Sequence, residues 1–133
     1  MAGAPFVFID RSLGRIQVPR LLRAGGIELI TLAEHYGRPQ DEDVDDPTWI
    51  TEASERGWIL FMKDQRIRRR PAERQAIIDS RARCFCLSDG SLGFADMAGR
   101  YLANWPAIVR ASAQPGPFLY SVRAAEIARL KVD

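Results

Sequence analysis

Asp10, Asp46 and Asp64 each stand where a strand hands over to a helix or loop: Asp10 in PFVFIDRSLG, Asp46 in DVDDPTWI and Asp64 in WILFMKDQRI. Asp10 and Asp64 end short apolar runs that read as buried strands, and Asp46 opens a helix. Carboxylates gathered at one edge of a parallel sheet are oxygen ligands for a hard divalent cation. That is the equipment of metal-assisted hydrolysis. The basic run behind Asp64, with Arg66, Arg68, Arg69 and Arg70, points to a polyanionic substrate whose phosphates it would contact. Arg11, Arg15 and Lys63 supply further cations closer to the acids.

The elements that must position these groups follow from the apolar pattern. Residues 5–9 (PFVFI) form a continuous apolar run suited to a central strand covered on both faces. Residues 27–32, 58–62, 83–87 and 118–122 read the same way. Between them lie helices. The first covers residues 16–24, with Ile16, Leu21 and Leu22 on one side and Gly25-Gly26 as its stop. The second starts at Asp46-Pro47, with Asp46 as N-cap, and runs to Gly57. The third covers residues 71–80, with Ala72, Ala76 and Ile77 inward, and the fourth runs from 92 to 112 with a break at Pro106. A polar loop is expected from 36 to 45, and a short helix or strand after 122. Strands alternating with helices predict an α/β fold, a three-layer α/β/α sandwich around a central parallel sheet.

At 133 residues the chain is expected to form a single domain, 1–133. The net charge of +2 is unevenly spread, with an acidic knot at 41–46 (DEDVDD) and the arginines between 66 and 83. This places a cation-binding spot beside an anion-binding surface. No stretch has the pattern of a signal peptide or the length to span a membrane, so a membrane role is not expected. Cys84 and Cys86, two apart on a strand, share a face and close too tight a loop for an ordinary disulfide. With His35 the lone histidine, there is no zinc constellation. Both cysteines read as small buried hydrophobes, and Trp49, Trp58 and Trp105 as core. A reducing cytoplasm is the expected compartment.

Three stretches resemble the PIN-domain nucleases, in particular a PIN-like branch of the VapC toxins of bacterial toxin–antitoxin pairs. FIDRSLGRIQVPRLLRAGGIELITL looks like the opening strand, acid and first helix. DVDDPTWITEASERGWILFMKD looks like the middle acid, its helix and the strand ending in the next acid. RIRRRPAERQAIIDSRARCFCL matches the helix and strand that follow. The resemblance spans roughly residues 5–90. It implies that Asp46 joins Asp10 and Asp64 around one or two Mg²⁺ or Mn²⁺ ions. It further implies an endoribonuclease acting on RNA phosphodiesters, a toxin silenced by a cognate antitoxin, and a dimeric habit. Two features depart from the common PIN pattern. Arg11 and Ser12 follow the first acid in place of a small hydroxyl residue and an asparagine, although Ser12 still offers a hydroxyl to hold a water. The fourth acid of many members has no assured counterpart, with Asp89 and Asp96 as candidates.

Other readings of the same residues stay open. Asp46 before a proline can be a helix cap alone, with Asp45 or Asp43 in its place as ligand. The arginine run can be a solvated loop. Arg11 beside the first acid can substitute for a metal, which would make the chain a catalytically inactive PIN-like RNA-binding or regulatory module. An aspartate at a strand end also serves receiver-like phosphotransfer domains and phosphatases.

Overall fold

The computed structural model describes residues 3–132. Six strands, β1 (Val7–Ile9), β2 (Leu29–Thr31), β3 (Ile59–Met62), β4 (Arg83–Leu87), β5 (Phe118–Val122) and β6 (Ile127–Leu130), form one sheet in the order β2-β1-β3-β4-β5-β6. All pairings are parallel except that of β6, which returns antiparallel along β5. Six α-helices connect them: α1 (Gln17–Ala24), α2 (Leu32–Tyr36), α3 (Asp46–Glu55), α4 (Pro71–Ser80), α5 (Phe94–Ala103) and α6 (Trp105–Ser112). Short 3-10 turns cover Arg11–Leu13, Gln40–Asp43 and Gln65–Arg69. Among the described residues no helix is long and apolar enough to cross a membrane.

The central strands β1, β3 and β4 are buried on both faces, which is why they read as unbroken apolar runs, whereas the edge strand β6 is only partly buried. Side chains alternate between two cores. Val7, Ile9, Ile59, Phe61 and Phe85 pack with Leu22 of α1, Tyr101 of α5 and Ile108 of α6. Phe8, Leu60, Met62, Cys84 and Cys86 face the other way, onto Trp49, Ile50 and Ala53 of α3 and Ala76 and Ile77 of α4. Each such large side chain, fully buried, contributes about 1.5–3 kcal/mol. The result is the expected three-layer sandwich.

The strand order carries the functional consequence. From β1 the chain crosses to β2 on one side, then to β3 on the other, so the connections diverge between β1 and β3. In open parallel sheets that divergence leaves a crevice beyond the carboxyl ends of the two strands. Asp10 follows β1 and Asp64 lies two residues beyond β3.

Several local expectations shift. Asp45, not Asp46, caps α3 by accepting from the Thr48 amide at 2.9 Å. Asp46 is the first helical residue and Pro47 the second, so the side chain of Asp46 is released from capping. Ile16 lies 66% exposed ahead of α1, whose buried side is formed by Val18, Pro19 and Leu22. Ala72 is exposed on α4. Residues 32–36, expected to take in the end of the second strand at Leu32 and the start of a loop at Tyr36, form α2 because Thr31 and Glu34 make a reciprocal capping box. The helix expected to kink or split at Pro106 does split, with the break at Asn104 and Pro106 in the first turn of α6. Asn104, buried at the break, donates to the carbonyls of Arg100 (2.9 Å) and Arg123 (2.7 Å) and ties the junction to the end of β5.

Candidate active site

Asp10 continues β1 by donating its amide to the Phe61 carbonyl of β3 at 3.1 Å, which seats its carboxylate at the β1–β3 crevice. The side chain caps the following 3-10 turn, with Oδ2 accepting from the Ser12 amide at 3.4 Å. The residue is 7% exposed, and its other oxygen, Oδ1, is buried with no hydrogen-bond partner. Burial pushes the carboxyl above its ordinary range, opposed by the bonds from Ser12 and reinforced by the nearby charge of Asp46. A buried carboxylate oxygen without a donor is costly unless a cation faces it.

Asp46 reaches this neighbourhood from the first turn of α3. Its Oδ1 accepts from the indole Nε1 of Trp49 at 2.9 Å, and that ring is fully buried. The bond fixes the carboxylate one turn from its anchor and leaves Oδ2 for another partner. Asp46 thus lies near enough for its charge to act on Asp10.

Asp64 stands at the same sheet edge in different company. Oδ1 accepts from the amide and Nε of Arg66, both at 3.0 Å, and Oδ2 accepts from Arg70 at 2.7 Å. Burial works to raise its pKa, but the bonds from Arg66 and Arg70 outweigh it and hold the carboxyl below its ordinary range. Among the described residues no three His, Cys, Asp or Glu side chains converge closely enough to hold a metal ion. Cys86 of β4 lies where it feels both acids. Burial raises its thiol foremost, with Cys84, Asp64 and Asp10 adding to the effect. It is a buried free cysteine, as is Cys84.

The basic residues divide by what they touch. Arg11 makes no ion pair with Asp10. Its Nη2 instead donates to the carbonyls of Asp41 (2.9 Å) and Val44 (2.6 Å). Arg15 pairs with the Asp41 carboxylate at 3.0 Å. Together they clamp the acidic loop beside the turn after β1, and that loop delivers Asp46. Ser12 accepts the Lys63 amide on its hydroxyl at 3.1 Å, lacing the end of β1 to the end of β3. Of the arginine run, Arg66 has a side chain 80% exposed, and Arg70, 42% exposed, is shared between Asp64 and Glu73. Arg69 is exposed. Arg68 folds back to donate to the Lys131 carbonyl at 3.2 Å, with its Nε buried and unpartnered.

Neither fourth-acid candidate is drawn into the crevice by a bond. Asp89 accepts from the amide (2.9 Å) and hydroxyl (2.6 Å) of Ser91 within its own turn, and Asp96 is exposed in the first turn of α5.

Sequence reasoning missed Asp41, buried at 3% exposure, because nothing distinguishes it from its acidic neighbours in DEDVDD. It also missed Gln65, whose Nε2 donates to the Leu87 carbonyl (3.0 Å) and Ser121 hydroxyl (3.2 Å) and pins the turn after β3 to the sheet edge. Tyr101 escaped notice too. Its hydroxyl sits between the carbonyls of Met62 (2.9 Å) and Phe85 (3.0 Å) while its ring stacks on Phe61 at 4.0 Å.

The donors at the crevice are oxygens only: the unpartnered Asp10 Oδ1, the free oxygen of Asp46 and the paired carboxylate of Asp64. Oxygen donors are the type that suits a hard divalent ion such as Mg²⁺ or Mn²⁺ rather than zinc, but the three carboxylates do not converge on one point. The family model for a PIN like domain matches residues 5–89, a span that contains all three aspartates and β1 through β4. A Mycobacterium tuberculosis protein named "Putative ribonuclease VapC45" is 45% identical over 130 residues, covering 98% of this chain and 94% of that protein. No solved structure matches. With the sheet order, the strand-end aspartates and these two matches in agreement, the chain belongs to the PIN-like domain family.

Proposed function

We propose that this chain is a single-domain endoribonuclease that uses Mg²⁺ or Mn²⁺ and acts as the toxin of a toxin–antitoxin pair. The observation that carries the reading is the buried, unpartnered Oδ1 of Asp10 beside Asp46 at the β1–β3 crevice. The likeness to a relative whose name is that of a ribonuclease supports RNA as substrate. The VapC designation of that relative supports a cognate antitoxin as partner. Free buried cysteines accord with a cytoplasmic setting.

Asp10 and Asp46 would hold the ion, with Asp64 as third carboxylate. A bound divalent ion lowers the pKa of a water and offsets charge on the phosphate. The chain's own residues do the rest. The Ser12 hydroxyl, fixed on the Lys63 amide, is placed to hold a water near Asp10. Arg66 and Arg70 balance the charge of Asp64 and are also able to take a substrate phosphate. Lys63, Arg15 and Arg69 extend the cationic surface for the flanking backbone, and Arg68 braces the C-terminal segment at its margin.

The arginine pairs on Asp64 favour one alternative, a PIN-like module that binds RNA without cleaving it. Incubation of purified protein with mixed cellular RNA, with Mn²⁺ or with EDTA, separates the two. The nuclease reading requires cleavage that EDTA abolishes and that Asp10→Asn and Asp64→Asn each eliminate. RNA binding with no cleavage in any metal would leave the binding module.

A further inference from the structure

The turn after β1 and the start of α5 enclose a depression of about 450 Å³ lined by Ser12, Arg15, Ile16, Lys63, Phe94 and Met97. Its walls include both large apolar side chains that stand exposed among the described residues, Ile16 at 66% and Phe94 at 48%. Large exposed apolar groups gathered at one place signal a binding surface. The rim is cationic: Arg15 is 42% exposed even while paired with Asp41, and Lys63 has no carboxylate partner among the described residues. Ser12 links the depression directly to the acids, because its amide binds Asp10 and its hydroxyl takes the Lys63 amide.

We propose that this depression is a nucleobase subsite, in which a base next to the cleaved phosphate stacks on Phe94 while Arg15 and Lys63 contact the adjoining phosphates. Single-stranded RNA is held in this manner elsewhere, with unstacked bases on aromatic rings and cations along the backbone. The charge of the rim and the adjacency to the carboxylates favour a nucleotide over a protein. Two exposed side chains also fall far short of the roughly 800 Å² per partner that a stable protein interface needs. The subsite rests on the nuclease reading above and deepens it by assigning a base-binding residue that lies outside the three carboxylates.

The test uses fluorescence anisotropy of a labelled mixed-sequence RNA ten-mer, with cleavage of the same oligonucleotide followed in parallel. Phe94→Ala should weaken binding about tenfold or more, as expected for one lost stacked base. Phe94→Tyr should bind like the native chain, and Phe94→Leu should resemble Phe94→Ala. An oligonucleotide with a single abasic position should show the same loss on native protein and no further loss on Phe94→Ala. Melting temperatures of the variants identify any that fail to fold, and the Tyr and Leu pair retains the comparison if the alanine variant does. Native affinity in Phe94→Leu overturns the stacking role, as does native affinity in a folded Phe94→Ala. A Phe94→Ala change from dimer to monomer without loss of RNA affinity overturns it in favour of an interface between copies. If native protein neither binds nor cleaves RNA, the nuclease reading itself falls and the subsite with it. Cleavage by native protein with no effect of Phe94 removes the subsite alone.

Discussion

The Arg15 guanidinium and the Asp41 carboxylate form an ion pair at 3.0 Å whose two ends live in different media: the Asp41 side chain is 4% exposed and that of Arg15 42%. The second Asp41 oxygen is buried without a partner. The pair therefore acts as a fastener. A water-facing cation holds a buried anion, and with it the loop that carries Asp46 toward Asp10.

Removal of Arg15 leaves a buried carboxylate with no compensating charge, which is the expensive half of breaking such a pair. Arg15→Ala should lower unfolding stability by about 2 kcal/mol in urea titration. Arg15→Ala combined with Asp41→Asn should recover part of that loss, because the stranded charge is gone. Additive losses in the double variant would mean that Asp41 is not held by Arg15 in solution.

The crevice makes a second claim open to calorimetry. Titration of the native chain with Mn²⁺ should yield heat of binding, and Asp10→Ala should abolish it. Asp46→Asn keeps the bond from Trp49 but loses charge, and should weaken binding by about tenfold or more. Binding untouched by Asp10→Ala would place the metal elsewhere or remove it from the mechanism.

Strands β1 to β5 were legible because residues such as Phe8, Leu60 and Cys84 are buried on a sheet covered on both faces, so burial writes itself into sequence as an unbroken apolar run, whereas the half-exposed β6 was open between helix and strand. Helix α4 was legible to the residue, with Pro71 marking its first position. Helix α2 was not, since five residues carry little periodicity and only the Thr31–Glu34 box announces it. In DDP the proline fits either of the first two helical positions, so sequence could not decide between Asp45 and Asp46 as cap. Asp10 and Asp64 could be placed by the strands they follow. Asp46, at the start of a helix, was grouped with them by the family resemblance, and Arg11 was opaque for a general reason. Its bonds go to backbone carbonyls 30 and 33 residues away, and a carbonyl has no sequence signature.

The arginine run reads as one charge block but is physically two sets, and RNA binding should separate them. Arg66 is largely exposed, so Arg66→Ala should weaken binding to unrelated RNAs evenly and reduce the salt slope by about 1. Arg68 is bonded to the Lys131 carbonyl, so Arg68→Ala should cost about 1 kcal/mol of stability and leave the salt slope unchanged. A smaller slope in Arg68→Ala would return that residue to the RNA surface.

His35 supplies a pH signature remote from any metal. Its ring packs edge-on against Phe8 (6.1 Å), Tyr36 (4.7 Å) and Trp58 (5.4 Å) between centroids. Burial lowers its pKa below 6.5, with Arg56 adding to the shift and Glu52 opposing it. In the interval between the depressed folded value and 6.5, the unfolded chain binds more protons than the folded one. The contribution of neutral His35 to stability is thus present above about pH 6.5 and lost as pH falls through the folded value. Urea midpoints measured in EDTA should decline between pH 7.5 and 5.5, and His35→Gln should flatten that decline. An equal decline in the variant would assign the pH dependence to other groups.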